Sequence, residues 1–248
     1  MSTIVALGLF LLLAMFLVGG RRGIRSFVSL LLNFVLLFMA IVLVAFGFPP
    51  LIVTLIIGIM ILGVTIFMGA DSDLTTQTAF YGAVIVLVIV VLLIIPVEHW
   101  AAVQGFGEED SDDIVGFSLA IGISFAQIAA STAIFSTLGA IAEAAMAIAA
   151  GLNEIVVQTP HLSNHELFQD GSDIGRQIIG TTFNTLFFGF FGGFLALFIW
   201  FVGLHYSLGQ IFNNKIFVAE LLEILFSIIG VILTVPITTW VMTRQRHD

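Results

Sequence analysis

GRQIIGTTFNTLFFGFFGGFLALFIWFVG, residues Gly175 to Gly203, carries no ionisable side chain after Arg176 and exceeds the roughly 20 helical residues that cross a bilayer. At helical spacing Thr181, Thr185, Gly189 and Gly193 fall on one face, with Thr182, Asn184 and Gly192 close by. Phe187, Phe190, Phe194 and Phe198 supply bulk elsewhere around the helix. In lipid, small residues let backbones approach, and hydroxyl or amide groups hydrogen-bond across helices. This face is therefore expected to meet protein or a wet cavity, at the centre of an all-α, polytopic transmembrane bundle.

The rest of the chain agrees with that class. Sixty per cent of its 248 residues are hydrophobic and nine per cent charged, where a soluble domain carries about a quarter charged. Cysteine is absent, which excludes disulfides, thiolate catalysis and cysteine-based metal sites. The net charge of −9 gathers in loops, above all Glu108-Glu109-Asp110-Ser111-Asp112-Asp113. No basic patch suggests nucleic acid as a partner; the lipid bilayer is the partner that composition demands.

Seven spans are expected, at approximately 3–18, 27–48, 50–68, 80–97, 114–135 continuing as a kinked helix to 157, 178–204 and 216–242. They form one transmembrane domain. The run Ile114 to Gln158 also admits an eighth span, with a tight turn near Ser136 to Gly139. Seven spans keep Arg21, Arg22, Arg25, Arg176, Arg244 and Arg246 on one side, so the positive-inside rule favours them, with the N-terminus outside and the C-terminus cytoplasmic. Pro50 is expected to open the third span and Pro96 to end the fourth. Ser163-Asn164-His165-Glu166 has capping-box spacing, and Gly171 is expected to stop the short helix that begins there.

Two stripes carry the polar groups. Ser118, Gly122, Ala126, Ala129, Ala133, Ser136, Ala140, Glu143 and Ala147 recur at steps of three or four, a seam suited to close packing. In the last span Glu220, Glu223, Ser227, Gly230, Thr234 and Thr238 form a second stripe, with Pro236 freeing a carbonyl within it.

Several separated segments resemble the YibE/F family of bacterial membrane proteins. GRQIIGTTFNTL from Gly175 is similar to its GRDIMGTMTNTL-type signature, and LGAIAEAAMAIA from Leu138 to its LGAIMDVAVSIA segment. Asn153-Glu154-Ile155 resembles the acidic turn that follows. Glu220 with SIIGVILTVPIT, and the early GRRGIRSFVSL and FGFPPLIV, also fit. Glu143 stands where the family usually has aspartate, Gln177 replaces an acidic residue and Ala147 a serine. The resemblance implies a bacterial cytoplasmic membrane location. It further implies a longer, YibE-like paralogue or a second copy as partner, this chain being of the shorter, YibF-like type. It implies no settled activity.

The candidate residues follow from cost. A carboxylate flanked by alanines, as Glu143 is, must be paired, wet or neutral near a membrane, and the sequence places it near the inner boundary. Thr181, Thr182, Asn184 and Thr185 either hydrogen-bond between helices or line a polar pathway, which Glu220, Glu223, Ser227 and Thr234 would extend. Gly189, Gly192, Gly193 and Gly230 are the packing glycines. His161, His165 and Glu166 lack the H-E-x-x-H arrangement, so no metal and no cofactor is expected. With no nucleophile elbow or phosphate-cradling loop an enzyme is not expected either. A permease or permease subunit for an ion or small solute is the leading expectation, and a non-transporting scaffold or interaction subunit the alternative.

Overall fold

The computed structural model describes residues 3–70, 72–103 and 124–246. Among them the regular elements are all helices: α1 (Thr3–Ala45), α2 (Pro50–Gly69), α3 (Asp73–Ala101), α4 (Phe125–Gln158), α5 (Asn164–Gly193), α6 (Leu195–Gly203), α7 (Leu208–Phe212) and α8 (Lys215–Gln245). The acidic loop from Glu108, together with Ser118 and Gly122 of the small-residue seam, lies outside the described residues. Five helices are long and apolar enough to span a membrane, or six spans with α5 and α6 taken as one broken span bent by 54°.

The difference from seven lies in α1, which contains both early apolar runs. It is broken at Gly20, whose φ of 56° and ψ of −129° are not helical. Residues eight apart in a straight helix rise about 12 Å, yet a Cβ on Gly23 would overlap the Met15 carbonyl. The chain therefore turns back sharply at Gly20, a conformation glycine adopts without a Cβ penalty. Nothing between Thr3 and Val18 is buried.

The core forms around α4, which packs against α2, α3, α5 and α8. Alanines at 133, 144, 145 and 149 of α4 are fully buried, and small residues on its neighbours let the axes close in. Gly58 of α2 receives Leu138, and Gly230 of α8 receives Ile141. Outward-facing side chains such as Ile56, Val88, Leu92 and Phe188 are apolar and exposed, as a lipid-facing surface requires.

Four local expectations change. Gly171 does not stop α5, which runs on to Gly193; a Cβ there would overlap the Thr239 side chain, so the glycine serves close packing on α8. Pro96 does not end α3, which continues to Ala101 and terminates at left-handed Ala102. Pro96 removes one N–H bond from the ladder, and the helix continues for one further turn beyond it. No turn interrupts α4 at Ser136 to Gly139, which removes the eighth span read there. The apolar run 178–204 is divided at Phe194 instead of continuous. Gly192 and Gly193 precede the break, and both weaken a helix. Pro50 and the Ser163–Glu166 capping box stand as expected.

Beyond the main core, a second apolar cluster of Phe190, Phe201, Phe217 and Ile224 joins α5, α6 and the start of α8. Phe198 stacks edge-on against Phe190 and Phe217, with ring centroids 5.6 and 5.9 Å away.

Candidate functional site

The stripe on α8 is buried. Ser227, Thr234, Thr238 and Thr239 are each about 1% exposed or less, and they face α3, α4 and α5. Most of their hydroxyls are spent on their own helix: Ser227 Oγ donates to the Glu223 carbonyl at 2.9 Å and Thr234 Oγ1 to the Gly230 carbonyl at 2.7 Å. Such back-bonding satisfies a hydroxyl in an apolar setting. Thr238 is different. Its Oγ1 has no partner and lies where a Cβ on Gly82 of α3 would come within 2.6 Å.

At the other end of α8 the acids meet. Glu223 lies within electrostatic reach of Glu220 and of Glu98 of α3, and its carboxylate is near the Ser136 side chain of α4. Glu98 is 4% exposed and its Oε2 has no hydrogen-bond partner. Ser131 of α4 is also buried with an unpaired Oγ. A buried carboxylate oxygen without a donor is costly, so Glu98 marks a place where a proton or cation would be stabilised. The described residues contain no group of three or more histidines and acids arranged to hold a metal ion.

Glu98 escaped the sequence reading because it follows Pro96 at the end of an apolar run, where an interfacial carboxylate costs little. Its burial depends on α4 and α8, which arrive far later in the chain. The uneven spacing from Glu98 to any other acid gives no sequence signal.

The stripe on α5 goes elsewhere. Thr182 is buried, but Thr181, Asn184 and Thr185 are exposed on the outer face, and Thr181 and Thr185 donate to carbonyls of their own helix. Gly189, Gly192 and Gly193 have no neighbouring atom within 4 Å of an added Cβ. The glycines of α5 that meet α8 are Gly171 and Gly175, against Thr239 and Val235. Thus Glu223 comes together with Glu220 and Glu98, Ser227 and Thr234 lie further along the buried face of α8, and Thr181, Asn184 and Thr185 do not join them.

Glu143 is exposed and has no ion pair or hydrogen bond among the described residues. Its height in the bundle follows from its neighbours. Two residues before it, Ile141 packs on Gly230 and beside Val90, and Gly230 is the middle residue of α8. Glu143 therefore lies close to the midplane of the helices, because α4 is one continuous element crossing the bundle.

Comparison with known proteins adds one finding. A family model described as YibE/F-like protein matches residues 7–247, nearly the whole chain. No curated protein and no solved structure matches it significantly.

Proposed function

The chain belongs to the YibE/F-like family, and on that premise we propose that it is a multi-pass protein of the bacterial cytoplasmic membrane that serves as a permease, or permease subunit, for a small cation. The observation that carries this reading is Glu98, a buried carboxylate with an unpaired oxygen, beside Glu223 and Glu220 from another helix. Carboxylates within membrane-spanning segments are costly and typically mark ion or proton pathways. Glu98 and Glu223 would bind the cation, with the Ser131 and Ser136 hydroxyls beside them and Thr238 further along α8. No enzymatic step is assigned.

The test is flux in proteoliposomes with proton, sodium and potassium gradients, using the chain alone and with a longer paralogue as partner. Glu98→Gln and Glu223→Gln are each expected to lower the flux at least tenfold. Wild-type protein that moves none of the three cations in either setting would sink the proposal.

A scaffold or interaction subunit is the second reading. It is favoured by the outward Thr181, Asn184 and Gly192 on α5, since polar and small groups facing lipid suit a further helix from a second copy or a paralogue. Asn184→Leu then reduces co-purification of that partner; a fully assembled Asn184→Leu complex counts against it.

A further inference from the structure

A cavity of about 300 Å³ lies between α1, α2 and α4, away from the carboxylates of α3 and α8. Its walls are mostly apolar, including Leu37, Ile61 and Phe135, and one side carries Asn33 and Thr65. Asn33 Nδ2 donates to Thr65 Oγ1 at 2.8 Å, which leaves Asn33 Oδ1 buried and without a donor. The α4 wall includes Gly139, where an added Cβ would meet nothing within 4 Å. One turn further along α4 stands Glu143, exposed near mid-bundle with no partner among the described residues. Side chains on a helix lean toward its N-terminus, over the preceding turn, so Glu143 leans toward Gly139, a residue of the cavity wall.

These groups specify a ligand. The buried amide oxygen of Asn33 and the exposed carboxylate of Glu143 are both acceptors, and apart from Thr65 the wall is apolar. A ligand must therefore bring several N–H donors, a positive charge and an apolar body. We propose that the α1–α2–α4 cavity binds a small organic ammonium, with its apolar part between Leu37, Ile61 and Phe135 and its ammonium between Asn33 and Glu143. An anion or a carbonyl compound would place acceptor against acceptor. A neutral alcohol of the same shape offers a single donor and no charge. This site is independent of the proposed cation path, since it shares no residue with Glu98, Glu220 or Glu223.

Binding of phenethylammonium to the full chain in neutral maltoside micelles, measured by calorimetry beside phenethyl alcohol, tests the assignment. The ammonium is expected to bind at least tenfold more tightly than the alcohol. Glu143→Gln, which keeps shape and removes charge, is expected to abolish that preference, and Gly139→Leu, projecting into open space, to weaken both ligands with the unfolding midpoint retained. If Gly139→Leu does not fold, Asn33→Leu replaces it and is expected to lower ammonium affinity several-fold. Equal affinity for ammonium and alcohol, or unchanged ammonium binding in Glu143→Gln, overturns the proposal.

Discussion

Gly175 and Gly180 lie five residues apart on α5 and have opposite surroundings. A Cβ at Gly175 would overlap Val235 of α8, whereas one at Gly180 meets nothing within 4 Å. Gly175→Val is therefore expected to destabilise the bundle by about 1–3 kcal/mol, the usual cost of overpacking. Gly180→Ala is expected to raise stability by up to about 1 kcal/mol through helix propensity. Thermal unfolding in micelles checks both, and a neutral Gly175→Val would remove the close approach of α5 to α8. The sequence shows two glycines in one signature segment and no means of telling them apart, because Val235 is brought in from a helix 60 residues on. Asn33 was invisible for the same reason: its partner Thr65 lies on another helix, and one amide in an apolar run carries no pattern.

Helix α5 shows what local sequence specifies and where it stops. Its start was legible, since Ser163 Oγ accepts from the Glu166 backbone N–H at 3.2 Å and the Glu166 carboxylate accepts from the Ser163 N–H at 2.9 Å, a reciprocal bond of neighbours. Ser163→Ala is expected to cost about 1 kcal/mol and to speed amide exchange in the first turn. Unchanged exchange there would mean that tertiary contacts alone hold the start. The end of α5 was not legible, because Gly171 carries a stop signal that packing on Thr239 overrides. Thr181, Asn184 and Thr185 of α5 point outward, because the direction of that face depends on which neighbour the close-packing glycines select. At the far end of α8, Arg246 donates to the Leu162 carbonyl at 2.8 Å and to Asn164 Oδ1 at 2.9 Å. It ties that helix to the loop before α5, a contact between residues more than 80 positions apart.

Across the whole molecule, these ties define two ends. Arg25 reaches the Phe67 carbonyl, Thr78 pairs with Gln245, and Arg246 holds Leu162; Glu98 and the α6–α8 loop lie at the opposite end of their helices. We propose that the arginine-bearing end is cytoplasmic, as the positive-inside rule requires. The absence of native cysteine makes this directly measurable. A cysteine at Ser163 is expected to react with impermeant thiol reagents from the cytoplasmic side only and one at Ser207 from the outer side only; the reverse pattern would invert the proposed orientation. Membrane class was thus readable from composition, the family from its separated motif segments, and several helix ends from proline placement and capping. The span count was less so, because Gly20 turns the chain inside one helical element and Phe194 breaks another.

The phenylalanine cluster of α5, α6 and the start of α8 shares no buried residue with the core around α4. The two larger clusters meet only through partly buried residues such as Leu186, which also packs on Ala140, Ala144 and Val231, so loss of structure in one need not carry the other. Denaturant titration followed at Trp200, beside the aromatic cluster, should therefore give an earlier midpoint than one followed at Trp240, on the stretch of α8 whose other face joins the main core. A single free energy of unfolding would then average two events.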